Sequence, residues 1–169
     1  MYARWVNDLR VNRTLGLPSI PMTLEAEHEW LKDALTAKDP LFTIYELATM
    51  RPIGNTGLHN VDHSSNTATF GLLIGEMDVW GKGYGTETTR LMLNYGFDVL
   101  GLYNIDLEVF AHNPGGIKAY ERAGFKKIGV RRGARRVGRE RYDIVYMDAV
   151  ADDIEPSPLH HIMQSGREE

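Results

Sequence analysis

Three glycines alternate with larger residues in Trp80-Gly81-Lys82-Gly83-Tyr84-Gly85-Thr86, just ahead of a stretch with helical spacing. A helix N-terminus carries unpaired N–H groups and partial positive charge. Glycines before it let the backbone close on phosphate oxygens with no Cβ in the way. The pattern therefore reads as a phosphate cradle, or else as a glycine-rich turn that holds nothing, and it does not by itself select one phosphate ligand. It is not a P-loop, which needs Gly-x-x-x-x-Gly-Lys-Ser/Thr. Nor is it a dinucleotide fingerprint, because the spacing here is Gly-x-Gly-x-Gly.

The elements that must position this loop can be read outward from it. Residues 86–100 predict a helix, with Leu91, Tyr95 and Val99 at helical spacing and Gly101 as its left-handed stop. Before the loop, residues 42–48, 53–61 and 67–75 predict three strands with short links, a turn at Arg51-Pro52 and another over 62–66, hence an antiparallel meander. After the helix, Ile105, Leu107, Val109 and Ala111 share one face of a fourth strand. Pro114 fits the first turn of a helix reaching Ala123, with Gly124 as its stop. Residues 125–130 and 142–150 predict the last two strands. At the start, residues 3–16 predict a helix burying Trp5, Leu9 and Val11. Thr23 predicts the N-cap of another, running to about Ala37 and followed by Asp39-Pro40. Residues 1–150 are expected to form one domain, and 151–169 a loose tail.

The chain has 169 residues, 43% hydrophobic and 25% charged, the composition of a soluble globular domain. With no cysteine, disulfides, thiolate metal sites and a cysteine nucleophile are excluded. No apolar run is long enough to span a bilayer, and the N-terminus lacks the apolar core of a signal peptide. A cytoplasmic protein without membrane contact is expected. A net charge of −4 argues against a general nucleic-acid binder.

Asn113-Pro-Gly-Gly-Ile-Lys-Ala-Tyr120-Glu-Arg-Ala-Gly124-Phe125 closes the strand carrying Glu108. Together with the loop at 80–86, it resembles the GNAT superfamily of N-acetyltransferases, and within it the branch of ribosomal-protein N-terminal and spermidine acetyltransferases. The resemblance covers about residues 3 to 150. It implies an α+β GNAT fold: a mixed, mostly antiparallel sheet splayed between the fourth and fifth family strands and flanked by about four helices. It also places a first strand ahead of the first helix, where this chain has no residues for one. Either the start is truncated or the fold tolerates the loss at one edge.

The resemblance implies transfer of an acetyl group from acetyl-CoA directly to a primary amine, with no metal; dimers are common in the family. Backbone N–H groups of Gly81, Lys82, Gly83, Tyr84, Gly85 and Thr86 would hold the coenzyme A pyrophosphate. The strand residues Leu73, Ile74 and Gly75 would bind the pantetheine arm through the backbone, one N–H polarising the thioester carbonyl. Asn113 matches a family asparagine that contacts the coenzyme, and Tyr120 the tyrosine that protonates the departing thiolate. Trp80 stands where the family has Arg or Gln, and Gly115-Gly116 where it has Ser or Ala, which weakens the helix start. Only a neutral amine attacks, and a carboxylate can take its proton. Glu108 is one candidate and Glu76, at the end of the preceding strand, the other. The bland alternatives are an exposed strand carboxylate for Glu108 and a packed helix tyrosine for Tyr120. The competing function is a non-catalytic acyl-CoA-binding module.

Other features carry less. Six arginines between Arg131 and Arg141 predict a solvated hairpin rather than a nucleic-acid contact. His59, Asp62 and His63 lie near the meander turns, where they could line an acceptor pocket. Glu25, Glu27, Glu29 and Asp33 suit either a polyamine or an ordinary helix surface, and His160-His161 have no further metal ligand at useful spacing.

Overall fold

A computed structural model describes residues 1–15, 20–36 and 39–165. The N-terminal helix is broken in two, α1 (Tyr2–Asn7) and α2 (Leu9–Asn12). The break is Asp8, extended at ψ 113°, whose carboxylate accepts the Arg10 N–H at 2.9 Å and so starts the second helix. Ala3, Trp5, Val6 and Val11 are buried; Leu9, expected inside, is 73% exposed, because the break turns it outward. In α3 (Leu24–Thr36), the Thr23 hydroxyl caps the first turn as expected, accepting the Ala26 N–H at 3.2 Å. The expected ends at residues 16 and 37 lie outside the described residues.

β1 (Leu41–Glu46), β2 (Arg51–Asp62) and β3 (Thr67–Ile74) pair as the antiparallel meander. Arg51 and Pro52 belong to β2 rather than to the turn. Pro52 sits opposite Tyr45 at a register irregularity, where the ladder does without its missing N–H. β4 (Asn104–Phe110), β5 (Lys126–Val137) and β6 (Glu140–Val150) complete a six-stranded sheet of order β1-β2-β3-β4-β6-β5. β5 and β6 are longer than expected, so the arginines of 131–137 lie on paired strands. β1 forms one edge; among the described residues nothing pairs outside it.

α4 (Tyr84–Asn94) runs into a π-helical turn at Tyr95–Val99. It buries Thr88, Thr89, Met92 and Leu93, whereas Leu91, on the expected helical line, is 60% exposed. α5 (Pro114–Ala123) ends at Gly124, whose φ of +124° glycine alone adopts readily. Gly101, at φ +68°, closes the turn after the π segment. The central core packs Met92, Leu93 and Tyr120 against Leu58, Phe70, Ile105, Leu107 and Val109. On the opposite face, Trp5, Val6 and Val11 pack on Leu73.

Beyond Val150 the chain is not a loose tail as far as Ser165. A short turn (Ala151–Asp153) leads to α6 (Pro158–Ser165), anchored where the Asp98 carboxylate accepts the Ser157 N–H at 3.0 Å and its hydroxyl. Six helices therefore stand among the described residues where about four were expected, because Asp8 divides the first and α6 is added. No helix among them is long and apolar enough to cross a membrane.

Candidate active site

β3 and β4 are parallel, but they pair only over Thr67–Thr69 and Asn104–Asp106. Beyond that, β3 stays on β2 as far as Ile74, and β4 stays on β6 as far as Phe110. The strands part, leaving an opening through the sheet at the base of a cleft of about 750 Å³. Side-chain alternation assigns the two faces. Phe70, Ile105, Leu107 and Val109 point to the α4/α5 side, in one cluster with Tyr120. Leu73 points to the α1/α2 side. Glu108, between Leu107 and Val109, therefore faces the α1/α2 side.

On the α4/α5 side, the glycine loop is held from below. Val79 is 1% exposed and packs with Ile44 and Ile53. The Trp80 indole donates to the Ile74 carbonyl at 2.9 Å, tying the loop to the end of β3. The Tyr84 hydroxyl donates to Glu46 at 3.1 Å, and that carboxylate raises the phenol's pKa. Gly83 is the N-cap of α4 at φ +97°, with no side-chain cap, so the first N–H groups of the helix are left for a ligand. A Cβ at Gly81 or Gly83 would meet nothing within 4 Å, so their use is conformational (φ +75° and +97°) and keeps the approach open. Of the expected donors, the Lys82 N–H is directed to the Val79 carbonyl at 3.3 Å, and Lys82 does not line the cleft. Gly81, Gly83, Tyr84, Gly85 and Thr86 do.

The strand backbone divides in the same way. The Gly75 N–H bonds the Ile53 carbonyl at 2.8 Å, so by antiparallel alternation Leu73 also turns its backbone to β2. Ile74 and Leu72 turn theirs to the opening. Gly75 lies outside the cleft, and a Cβ there would stand 2.1 Å from the Trp5 ring. Leu72, which sequence reasoning did not single out, joins Ile74 as a backbone contact facing the gap. A strand's hydrogen-bonding phase is not written in its side chains.

Asn113 lines the cleft, and its Oδ1 caps α5 by accepting the Gly116 N–H at 3.0 Å. A Cβ at Gly116 would lie 2.7 Å from Asn113 Nδ2, so this glycine makes room for the cap. Tyr120 lines the cleft from α5 and is edge-on to Phe70 at 6.0 Å. Its hydroxyl has no hydrogen-bond partner among the described residues, and burial pushes its pKa up to about 12. It is thus a neutral phenol at pH 7, able to donate.

The two carboxylate candidates separate. Glu108 is exposed within the cleft. Glu76 lies outside it, accepting from the Arg4 guanidinium and, at 2.8 Å, from the Trp5 indole. On the same face as Glu108, Tyr2 and Trp30 stack at 4.3 Å and wall the cleft with Leu15 and Leu41. Sequence reasoning missed this wall, because its residues come from four separate segments. Among the described residues Asn55 Oδ1 is buried there without a partner, an acceptor of the kind normally satisfied. Of the residues near the meander turns, His59 lines the cleft, whereas Asp62 bonds Ser64 in its own turn. Glu27 is tied to the Tyr2 N–H at 2.6 Å, a structural use for one of the acidic residues of α3.

Residues 1–126 match the model of the acetyltransferase (GNAT) domain. The chain is 32% identical over 91 residues to the uncharacterized N-acetyltransferase p20 of Bacillus licheniformis, a match covering 54% of this chain and 51% of that protein. It is 34% identical over 76 residues to spermidine N(1)-acetyltransferase of Escherichia coli, covering 45% and 40%. The matched stretch thus spans about half or less of these relatives' length. Spermidine N-acetyltransferase from Vibrio cholerae, solved with CoA and spermine, superposes with a TM-score of 0.82 at 20% identity, covering 90% of this chain and 89% of that one, which shows a common fold.

Proposed function

We propose that this chain, which belongs to the GNAT acetyltransferase family, transfers an acetyl group from acetyl-CoA directly to a primary amine. The observation that carries this reading is the opening between β3 and β4, with Tyr120 on one face and Glu108 on the other. A thioester lying in that opening has the proton donor for its sulfur on the α4/α5 side. The amine approaches from the α1/α2 side, so the two substrates need not exchange places and no covalent enzyme intermediate is required.

In this reading the pyrophosphate rests on the uncapped N-terminus of α4, and the pantetheine amides pair with the Leu72 and Ile74 backbone. Asn113 sits beside the coenzyme at the start of α5. The N–H of Ile74 or Leu72 is placed to polarise the thioester carbonyl. Glu108 draws the ammonium to the opening and favours its approach. Once the ammonium has lost a proton, the neutral nitrogen attacks the carbonyl carbon, the C–S bond breaks, Tyr120 protonates the departing thiolate, and the new amide nitrogen sheds its extra proton. The acceptor is an amine on a small molecule, a polyamine or a protein N-terminus. A cytoplasmic location, where acetyl-CoA is available, and a homodimeric assembly belong to the same proposal.

The test is release of free coenzyme A from acetyl-CoA in the presence of an amine panel, with and without Tyr120→Phe. The expected result is amine-dependent release that falls at least 100-fold in the variant. Thermal stabilisation by coenzyme A with no transfer to any amine would instead support a non-catalytic acyl-CoA-binding module.

A further inference from the structure

His59 stands in a niche made by two glycines. Gly57 and Gly71 face each other across β2 and β3. A Cβ at Gly71 would lie 2.8 Å from His59 Nε2, and one at Gly57 would lie 3.4 Å from Cε1 and 2.8 Å from the Pro40 carbonyl. Gly71 is not in the left-handed region, so its backbone does not require glycine; the ring lying over it does. The imidazole is exposed to the cleft, and neither nitrogen has a hydrogen-bond partner among the described residues. Continuing the register that pairs Thr69 with Asp106 brings Gly71 abreast of Glu108. His59 and Glu108 thus flank the same point, where the strands part, and both line the cleft.

We propose that His59 takes the proton from the acceptor ammonium while Glu108, across the opening, holds the cation; this rests on the amine-acetylation reading above. An alkylamine and a carboxylate differ by about 6 pKa units, an alkylamine and an imidazole by about 4. Imidazole is the stronger base of the two and is still largely unprotonated at neutral pH. The register also sets Asp106 across Thr69 from His59 on the same face. Glu108 on β4 is anionic and Tyr2 on α1 is a neutral phenol whose pKa burial raises. The nearby carboxylates of Asp62 and Asp39 are occupied, the first by Ser64 and the second by the Asn60 and Val61 N–H groups.

The ammonium passes one proton to the imidazole, and the neutral nitrogen forms the C–N bond. The C–S electron pair leaves on sulfur, which takes the Tyr120 proton. The new amide nitrogen sheds its extra proton, which restores the phenol, and the imidazolium releases its own to water.

The test uses the whole chain with acetyl-CoA and whichever of spermidine, phenethylamine or a Ser-initiated peptide reacts fastest. His59→Gln is expected to lower kcat about 100-fold, with melting temperature and KM for acetyl-CoA unchanged. Its kcat–pH profile should also differ from that of the wild type on the acid limb. Gly71→Ala, which displaces the ring but keeps it, is expected to lower kcat about 10-fold, toward the same deficit. A His59→Gln enzyme with wild-type kcat, or with a reduced kcat and the acid limb unaltered, overturns the role of His59 and leaves amine acetylation standing. A wild-type chain that acetylates none of the three amines overturns both.

Discussion

Glu108 and Glu76 have equivalent claims on one role in the sequence, and their neighbours separate them. Glu108 lies on an alternating strand with its carboxylate in the cleft, whereas Glu76 is an acceptor for Arg4 and Trp5. Glu108→Gln should lower kcat/KM for the amine at least 10-fold and leave melting unchanged. Glu76→Gln should do the reverse, with a stability loss of about 1–3 kcal/mol and near-normal turnover; equal kinetic damage from both would refute the assignment. Tyr120 gives a second measurement. Its pKa is raised to about 12 by burial, so the folded state holds the phenolic proton more tightly than the unfolded chain does. That contribution is fully present below pH 10 and lost as pH rises toward 12. Denaturant unfolding from pH 9 to 12 should show the wild type losing about 2–3 kcal/mol relative to Tyr120→Phe. Parallel curves would mean that the ring is not buried as described.

At the scale of elements, the proposed pyrophosphate site rests on a helix that starts without a cap. Gly83 supplies no side chain to its own N-terminus and adopts φ +97°, a conformation costing an L-residue about 1–2 kcal/mol. Gly83→Ala should therefore weaken coenzyme A binding about 10-fold in calorimetry while barely changing kcat at saturating acetyl-CoA. Retained affinity would place the pyrophosphate elsewhere. The opening is equally an element property. Two parallel strands share three register pairs and are then held apart by stronger antiparallel partners, β2 on one side and β6 on the other. This sheet geometry presents an unpaired strand backbone to a ligand without exposing an outer edge.

At the scale of the molecule, the Asp98 carboxylate ties α6 to the π turn that follows α4. Asp98 accepts from Ser157 and pairs with His160 at 3.5 Å. Asp98→Ala should undock α6, cost about 1–3 kcal/mol in chemical denaturation, and leave acetyl-CoA turnover intact; unchanged stability would show that α6 is held by something else.

Much was legible along the chain. The Thr23 cap, the meander, the stops at Gly101 and Gly124 and the glycine loop ahead of α4 all depend on residues within a few positions of one another, so local preference and periodicity suffice. The same local reading misplaced Leu9, because it could not see that Asp8 breaks the helix, and it drew a helical line through Leu91, which lies off the face of α4 that buries Thr88, Thr89, Met92 and Leu93. The amino-acid sequence by itself determined the loop, the alternation of β4 and the presence of Glu108, Asn113 and Tyr120 at their spacing. Only the tertiary structure decided that Glu76 belongs to Arg4, that His59 lies over Gly71, and that Asp98 meets Ser157 from 59 residues away. The physical reason is the same in each case. These contacts join segments whose approach is set by the packing of whole elements, and no pattern within either segment encodes its partner.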